Sequence, residues 1–168
     1  MMRSEGQSLL AFPPAKSPQL LNPVVLAYMG DAVFELLVRQ YFISLPNHKP
    51  QHLHREATKL VSAKAQRRLL ERLQPLLTEE EADIARRGRN TKSGSPPKNA
   101  DPADYRLATA LESLFGYLFY ESRLDRIKEL FDAGLSNQRE DYHSTRSEQL
   151  DKKAIIKEDE EAYDGNEP

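Results

Sequence analysis

The sequence predicts an all-α fold, and three observations carry that prediction. Apolar residues recur at spacings of three and four over several long segments, most of those segments open on a recognisable helix cap, and none alternates with period two between hairpin turns. The chain has no internal repeat and no CxxC, GxGxxG, Walker or HExxH motif.

Residues 1–21 hold Pro13, Pro14 and Pro18 without periodicity and are expected to form a loose arm. Asn22-Pro23 then supplies a helix start: Asn accepts from an orphan amide, and Pro suits the first helical position, where its missing N–H costs nothing. From Pro23 to about Ile43 the segment is apolar nearly all round, so this helix is expected to be central and buried. A second helical region follows Pro46-Asn47, with Pro50 in its first turn and Leu53, Ala57, Leu60, Val61, Ala65, Leu69, Leu70 and Leu73 at helical spacing as far as Gln74. Ser62 is placed to cap a fresh helix if the region breaks at Val61-Ser62. Thr78 followed by Glu79, Glu80 and Glu81 is a capping box with acids at the positive end of the helix dipole, opening a short helix expected to end near Arg87-Gly88. Residues 88–100 are turn-forming and predict a long loop. Asp101-Pro102 repeats the cap-plus-proline start for a helix to about Glu121, and a last helix runs from about Leu124 to Ala133, with Gly134 as its stop.

At 168 residues the chain is one domain, or one domain plus a tail. It has no Cys, which excludes disulfide scaffolds, thiolate metal sites and Cys nucleophiles, so any metal must sit on oxygen or imidazole. The apolar run from Pro23 to Gly30 stops at Asp31, well short of the ~20 residues a membrane-spanning helix needs. The first twenty residues also lack a signal-peptide core, and the expectation is a soluble cytoplasmic protein with no membrane association. The formal charge of −2 hides an asymmetry: residues 137–168 carry ten acidic and five basic residues with few large aliphatics, leaving residues 1–136 with 19 basic and 16 acidic ones, net +3. The division expected is an arm over 1–21, a folded domain over 22–136, and an acidic, solvated tail over 137–168 that cannot offset its ordering entropy.

Asp31 lies in the middle of the most apolar segment, after Gly30 and one turn before Glu35. A carboxylate buried there must be paired, hydrogen-bonded or metal-bound. The segment from Tyr105 to Phe119 repeats the arrangement, with Glu112 at its centre and Gly116 one turn on, and glycine lets two helix backbones approach. Facing carboxylates repel unless a cation lies between them, and Mg²⁺ suits oxygen ligands; the alternative is that each acid pairs with a cation from another helix. Arg86, Arg87, Arg89, Lys92 and Lys98 place five cations in thirteen residues with no acid among them, open to phosphate oxygens if they are not merely a solvated surface. Lys49, Arg55, Lys59, Lys64, Arg67, Arg68 and Arg72 add to the basic count and read as solvent face. His48, His52 and His54 are not spaced to share one helical face, and read as surface or capping residues rather than metal ligands.

The stretch Asn22-Pro-Val-Val-Leu-Ala-Tyr-Met-Gly-Asp-Ala-Val-Phe-Glu35 resembles the signature helix of the ribonuclease III family. Arg87-Gly-Arg-Asn-Thr-Lys-Ser-Gly-Ser-Pro-Pro-Lys-Asn-Ala-Asp101, with the segment from Ala110 to Phe119, is similar to its small bacterial branch, Mini-ribonuclease III, which lacks a double-stranded-RNA-binding domain. The resemblance implies a helical homodimer that cleaves double-stranded RNA with Mg²⁺, leaves 5′-phosphate and 3′-hydroxyl ends, and trims the base-paired ends of the 23S ribosomal RNA precursor, with help from a ribosomal protein. Position by position it implies Asp31 and Glu112 as the catalytic, metal-binding carboxylates, with Arg86, Arg87, Arg89, Lys92 and Lys98 on the RNA backbone. Glu35 matches no metal ligand of the family and either buttresses the dimer or pairs with a cation; Asn99, in the most specific part of the resemblance, is a supporting residue. Full-length relatives have two further acids where this chain has Ala27 and Thr109, so a four-carboxylate site does not transfer. That departure keeps a second reading open, a non-catalytic duplex-RNA-binding module on the same fold. A third, a helical nucleotide hydrolase, needs more closely spaced acids than Asp31 and Glu35 supply.

Overall fold

The computed structural model describes residues 11–46, 49–92 and 94–136, so His48, Ser93 and the whole of the acidic segment 137–168 lie outside the described residues. The chain divides into two compact units, residues 1–134 and 135–168, and the packing below is that of the first. Among the described residues the structure is all-helical, as the sequence predicts: α1 (Pro23–Ser44), α2 (Pro50–Leu60), α3 (Ala63–Leu73), α4 (Glu79–Asn90), α5 (Pro102–Tyr120), and α6 from residue 124 to 136, with short 3₁₀ turns at Pro18–Leu20 and Gln74–Leu76. Among the described residues no helix is long and apolar enough to cross a membrane.

The expected caps are present and account for where the helices begin. The Asn22 side chain accepts from the Val24 amide at 2.9 Å, that of Asp101 from the Ala103 amide at 2.7 Å, and that of Ser62 from the Ala65 amide at 3.3 Å, which is why the second helical region breaks into α2 and α3. Two expected stops are corrected. Helix α4 continues past Gly88 to Asn90, because Gly88 packs against α5: a methyl group there would stand 2.6 Å from Ser113 Oγ and 3.0 Å from Ala110 Cα. Gly134 does not end α6; it lets Leu69 approach, whose Cγ would lie 2.6 Å from an added methyl.

Helix α5 is the hub. It buries Ala108 to Leu111 and Ser113 to Leu118, and packs against α1, α3 and α4. Phe34 of α1 meets Phe115 of α5 and Phe131 of α6 edge-to-face, each with ring centroids 5.8 Å apart, and burying a side chain of that size contributes about 2–3 kcal/mol. Helix α1 corrects the expectation of a fully buried helix. One face, with Leu26, Val33, Phe34 and Val38, is buried; the opposite face exposes Val25, Tyr28, Leu36 and Ile43, with Tyr28 83% exposed.

Glu81, at the N-terminus of α4, is fully buried. Its carboxylate accepts from the Thr78 amide, from Arg126 Nε and a terminal nitrogen at 2.9 Å each, and from Arg123 at 3.3 Å, while its own amide donates to Thr78 Oγ1. Burial alone would raise its pKa; the bonds from Arg126 and Thr78 and the Arg126 and Arg123 charges hold it below the ordinary 4.5. An acid lowered in this way stabilises the fold above its unfolded pKa and loses that contribution as pH falls through the folded value. Glu81→Ala, which leaves Arg126 only Glu129 and the Leu76 carbonyl and removes the capping box, is expected to cost about 3 kcal/mol at pH 7. In denaturant unfolding the deficit relative to the unsubstituted protein should shrink below about pH 4.5.

Candidate active site

Two glycines bring α1 and α5 into main-chain contact. A methyl group on Gly30 would stand 1.6 Å from the Glu112 carbonyl oxygen, and one on Gly116 1.9 Å from the Leu26 carbonyl oxygen. Asp31 follows Gly30, so the closest point of the helix pair is also where the two acids meet electrostatically. Glu112 is partly buried and its pKa is pushed up to about 7, first by burial and second by the charge of Asp31; a hydrogen bond from the Gln66 side chain opposes the rise. Asp31 belongs to the exposed side of α1, against the expectation that it is buried, because the helix itself is covered on one face only. Its carboxyl is nonetheless held above the usual value, by partial burial first and the Glu35 charge second.

Glu81 shows what a structural acid looks like in this protein: enclosed, bonded to arginine, with a lowered pKa. Asp31 and Glu112 have the opposite character. Among the described residues neither makes an ion pair with Lys or Arg, although eleven such pairs form elsewhere. Both carry charge that the protein raises in energy and leaves uncompensated, and hard oxygen donors in that condition fit a divalent cation such as Mg²⁺. The donor set is small, since no group of three or more His, Asp or Glu side chains gathers among the described residues. The departures at 27 and 109 have a packing explanation: Ala27 is 6% exposed, and the buried Thr109 hydroxyl turns back to the Tyr105 carbonyl at 3.0 Å. Glu35 pairs with Arg39 at 3.3 Å.

The basic residues divide once α4 is seen to run through Asn90. Arg86, Arg87 and Arg89 sit on that helix and not on a loop; only Lys92 and Lys98 are on the segment that follows. Arg86 is exposed and pairs with Asp83, Arg89 is exposed beside Asn90, and Lys92, Lys98 and Asn99 are exposed. Arg87 is different: its guanidinium donates to the Gln19 carbonyl at 2.9 Å and the Leu21 carbonyl at 3.4 Å. With Gln19 also donating to Tyr117 Oη at 3.2 Å, the end of the N-terminal segment is anchored, against the expectation of a loose arm as far as residue 21. Arg89, Lys92 and Arg106 line an open hollow with Tyr105 between the end of α4 and the start of α5. Of the basic residues read as solvent face, Arg67 bridges to Asp104 of α5 at 2.9 Å and Arg72 donates to the Gly134 carbonyl at 2.9 Å. His52 Nδ1 lies 3.2 Å from Arg55, and among the described residues it joins no group of three or more metal-ligating side chains.

Gln66 escaped sequence reasoning, though a signal for it existed. It occupies the position in α3 that continues the apolar stripe of Leu69, Leu70 and Leu73 at spacings of three and four, where a glutamine is out of place unless it has a partner. Ser113 was equally silent in sequence: its hydroxyl reaches the Pro23 carbonyl at 2.9 Å and the Thr109 carbonyl at 2.8 Å, tying the start of α1 to α5 at the point where Gly88 packs.

Residues 24–123 match the family described as ribonuclease III domain. The chain is similar to the Mini-ribonuclease 3 of Brevibacillus brevis, with 50% identity over 115 residues, covering 68% of this chain and 86% of that protein. It is similar also to that of Staphylococcus aureus, with 46% identity over 116 residues, covering 68% and 87%. Among solved structures, a Fusobacterium nucleatum protein superposes with a TM-score of 0.65 at 26% identity, over 74% of this chain and 99% of that one.

Proposed function

Because the chain belongs to the ribonuclease III family, in its Mini-ribonuclease 3 branch, and is thereby a ribonuclease, we propose that it cleaves double-stranded RNA with Mg²⁺ held by Asp31 and Glu112, and that its task is trimming the base-paired ends of the 23S ribosomal RNA precursor. The observation that carries the site assignment is the pair of uncompensated carboxylates at the tightest contact of α1 and α5. When bound, Mg²⁺ supplies Lewis-acid activation of water and neutralises charge developing at the scissile phosphate, the ends being 5′-phosphate and 3′-hydroxyl. The chain's own residues do the rest. Asp31 and Glu112 hold the cation from two helices whose separation is set by Gly30 and Gly116. Arg86, Arg89, Lys92 and Lys98 hold the strand backbone, in a manner largely independent of sequence because A-form RNA hides its major-groove edges. Arg87, spent on main-chain carbonyls, has a structural role and is withdrawn from that set.

Incubating the purified chain with a duplex RNA, with and without Mg²⁺, tests the reading. Cleavage only with Mg²⁺, leaving 5′-phosphate ends, is the expected result; duplex binding without cleavage under any divalent metal would replace it by the non-catalytic reading.

The exposed apolar face of α1 supports a homodimer as part of this proposal. Val25, Tyr28, Leu36 and Ile43 lie along one side of the helix that carries Asp31, and a second copy is the partner the family implies for them. Charging this face with Tyr28→Lys and Leu36→Lys is expected to weaken self-association by at least about 100-fold, as loss of central interface anchors does. Sedimentation velocity would then show a monomer at concentrations where the unsubstituted chain is a dimer.

A further inference from the structure

We infer that the hollow between the end of α4 and the start of α5 is a seat for one backbone phosphate of the RNA strand, with Arg106 as its principal ligand and Tyr105 beside it. The hollow has a volume of about 1050 Å³, and Arg89, Thr91, Lys92, Ser95, Tyr105 and Arg106 stand in its lining, which includes no Asp or Glu among the described residues. Three cations around one concavity repel one another unless an anion lies between them. Elsewhere the protein supplies that anion itself, as it does for Arg39, Arg67, Arg86 and Arg126. Among the described residues Lys92 and Arg106 form no ion pair, and Arg89 donates to the Asn90 side-chain oxygen at 3.3 Å without meeting an acid.

The acids nearest in sequence are spent on other partners. Asp101 caps α5 through the Ala103 amide at 2.7 Å, Asp104 is drawn to Arg67 of α3 at 2.9 Å, and Asp83 pairs with Arg86. The positive field is therefore left to the hollow. Its donors suit phosphate: a guanidinium can fork onto two phosphate oxygens. Tyr105 is half-buried, and its carbonyl accepts from Thr109 Oγ1, whereas its hydroxyl has no hydrogen-bond partner among the described residues and can donate to a third oxygen. Arg86 and Lys98 do not line the hollow, so they hold the strand elsewhere. Place matters as much as chemistry. Arg106 precedes Glu112 by six residues on one helix, about 9 Å along its axis at ~1.5 Å per residue. A phosphate on Arg106 is thus held against the same rigid element that carries Glu112, whatever the segment between α4 and α5 does.

This inference rests on duplex RNA being the substrate, and the experiment separates the two. Arg106→Gln and Arg106→Lys are compared, in the full chain, with Arg68→Gln, which removes an exposed cation of α3 from outside the hollow. Binding of a labelled duplex RNA is followed by fluorescence anisotropy in chelator over a range of KCl. Arg106→Gln should weaken binding about tenfold and lower the salt slope by about one; Arg106→Lys should restore the slope but not the whole affinity, and Arg68→Gln should change neither. A single uncharged methylphosphonate is then walked along the strand. At one position it should weaken binding by the unsubstituted chain and leave binding by Arg106→Gln unaffected. Equal effects of Arg106→Gln and Arg68→Gln, or the lack of such a position, mean a diffuse positive surface; either overturns the inference and leaves the duplex reading intact. A fall in the unfolding midpoint that accounts for the lost affinity also overturns it. Displacement of the duplex by inorganic phosphate at matched ionic strength, where it depends on Arg106, gives the hollow to a free phosphate and overturns the RNA assignment. No duplex binding by the unsubstituted chain overturns the substrate reading itself.

Discussion

Asp31→Asn is expected to reduce Mg²⁺-dependent cleavage of a duplex RNA about a thousandfold or more, roughly 4 kcal/mol of transition-state stabilisation, while the protein stays folded. The fold is insensitive because Asp31 lies on the exposed side of α1 and makes no ion pair among the described residues. Asparagine also removes the charge that helps hold Glu112 near 7. Single-turnover rates with a thermal melt of the same preparation check both halves, and undiminished cutting would refute the assignment. Glu112→Gln should lose cleavage likewise, with a distinct pH signature. An acid whose folded pKa lies above its unfolded value, here about 7 against 4.5, makes the native state bind more protons than the unfolded one between those values. Stability is therefore present at low pH and lost as pH rises through about 7, by up to about 3 kcal/mol. In metal-free buffer Glu112→Gln should thus be more stable than the unsubstituted chain at pH 8, with the difference vanishing by pH 4; equal melting curves at pH 8 would contradict the stated environment of Glu112.

Gly30→Ala has the second large effect and acts on both fold and site. The added methyl meets the Glu112 main-chain oxygen at 1.6 Å, and a backbone atom inside a helix cannot rotate aside, so α1 and α5 must part. The cost is expected to be about 3 kcal/mol or more, a large share of the stability of a small domain. In whatever remains folded, displacement of Asp31 from Glu112 by about 1 Å should lower the rate a further ~100-fold. Gly134→Ala is the contrasting substitution, since the atoms it meets belong to the Leu69 side chain, which can turn. Its melting temperature should fall by much less, and equal losses for the two would show that main-chain contact is not what limits position 30.

Much of the fold was legible because helix starts are local. Asn22, Thr78 and Asp101 cap within three residues of themselves, and their side chains find the same amides whatever the rest of the chain does. Helix ends were less legible: Gly88 and Gly134 read as stops but serve as contact points for Ser113 and Leu69, partners that lie 25 and 65 positions away. That α1 and α5 approach closely was visible as a pattern of one glycine and one central acid in each long apolar helix; that Gly30 meets Glu112 and Gly116 meets Leu26 was not.

What the sequence determined by itself, then, was the all-helical class, the positions of the caps and the placing of one acid beside or near a glycine at the middle of each long apolar helix, because each depends on residue type and near-neighbour spacing. Tertiary structure alone decided which polar residues are compensated. Glu81, read as a capping acid, is also the partner of a distant arginine pair; Arg87, read as a phosphate ligand, holds main-chain carbonyls; Arg67, read as solvent face, bridges to Asp104. A side chain's charge and hydrogen-bonding capacity are written in its identity, but whether that capacity is already satisfied depends on which atoms other helices bring within about 3 Å of it.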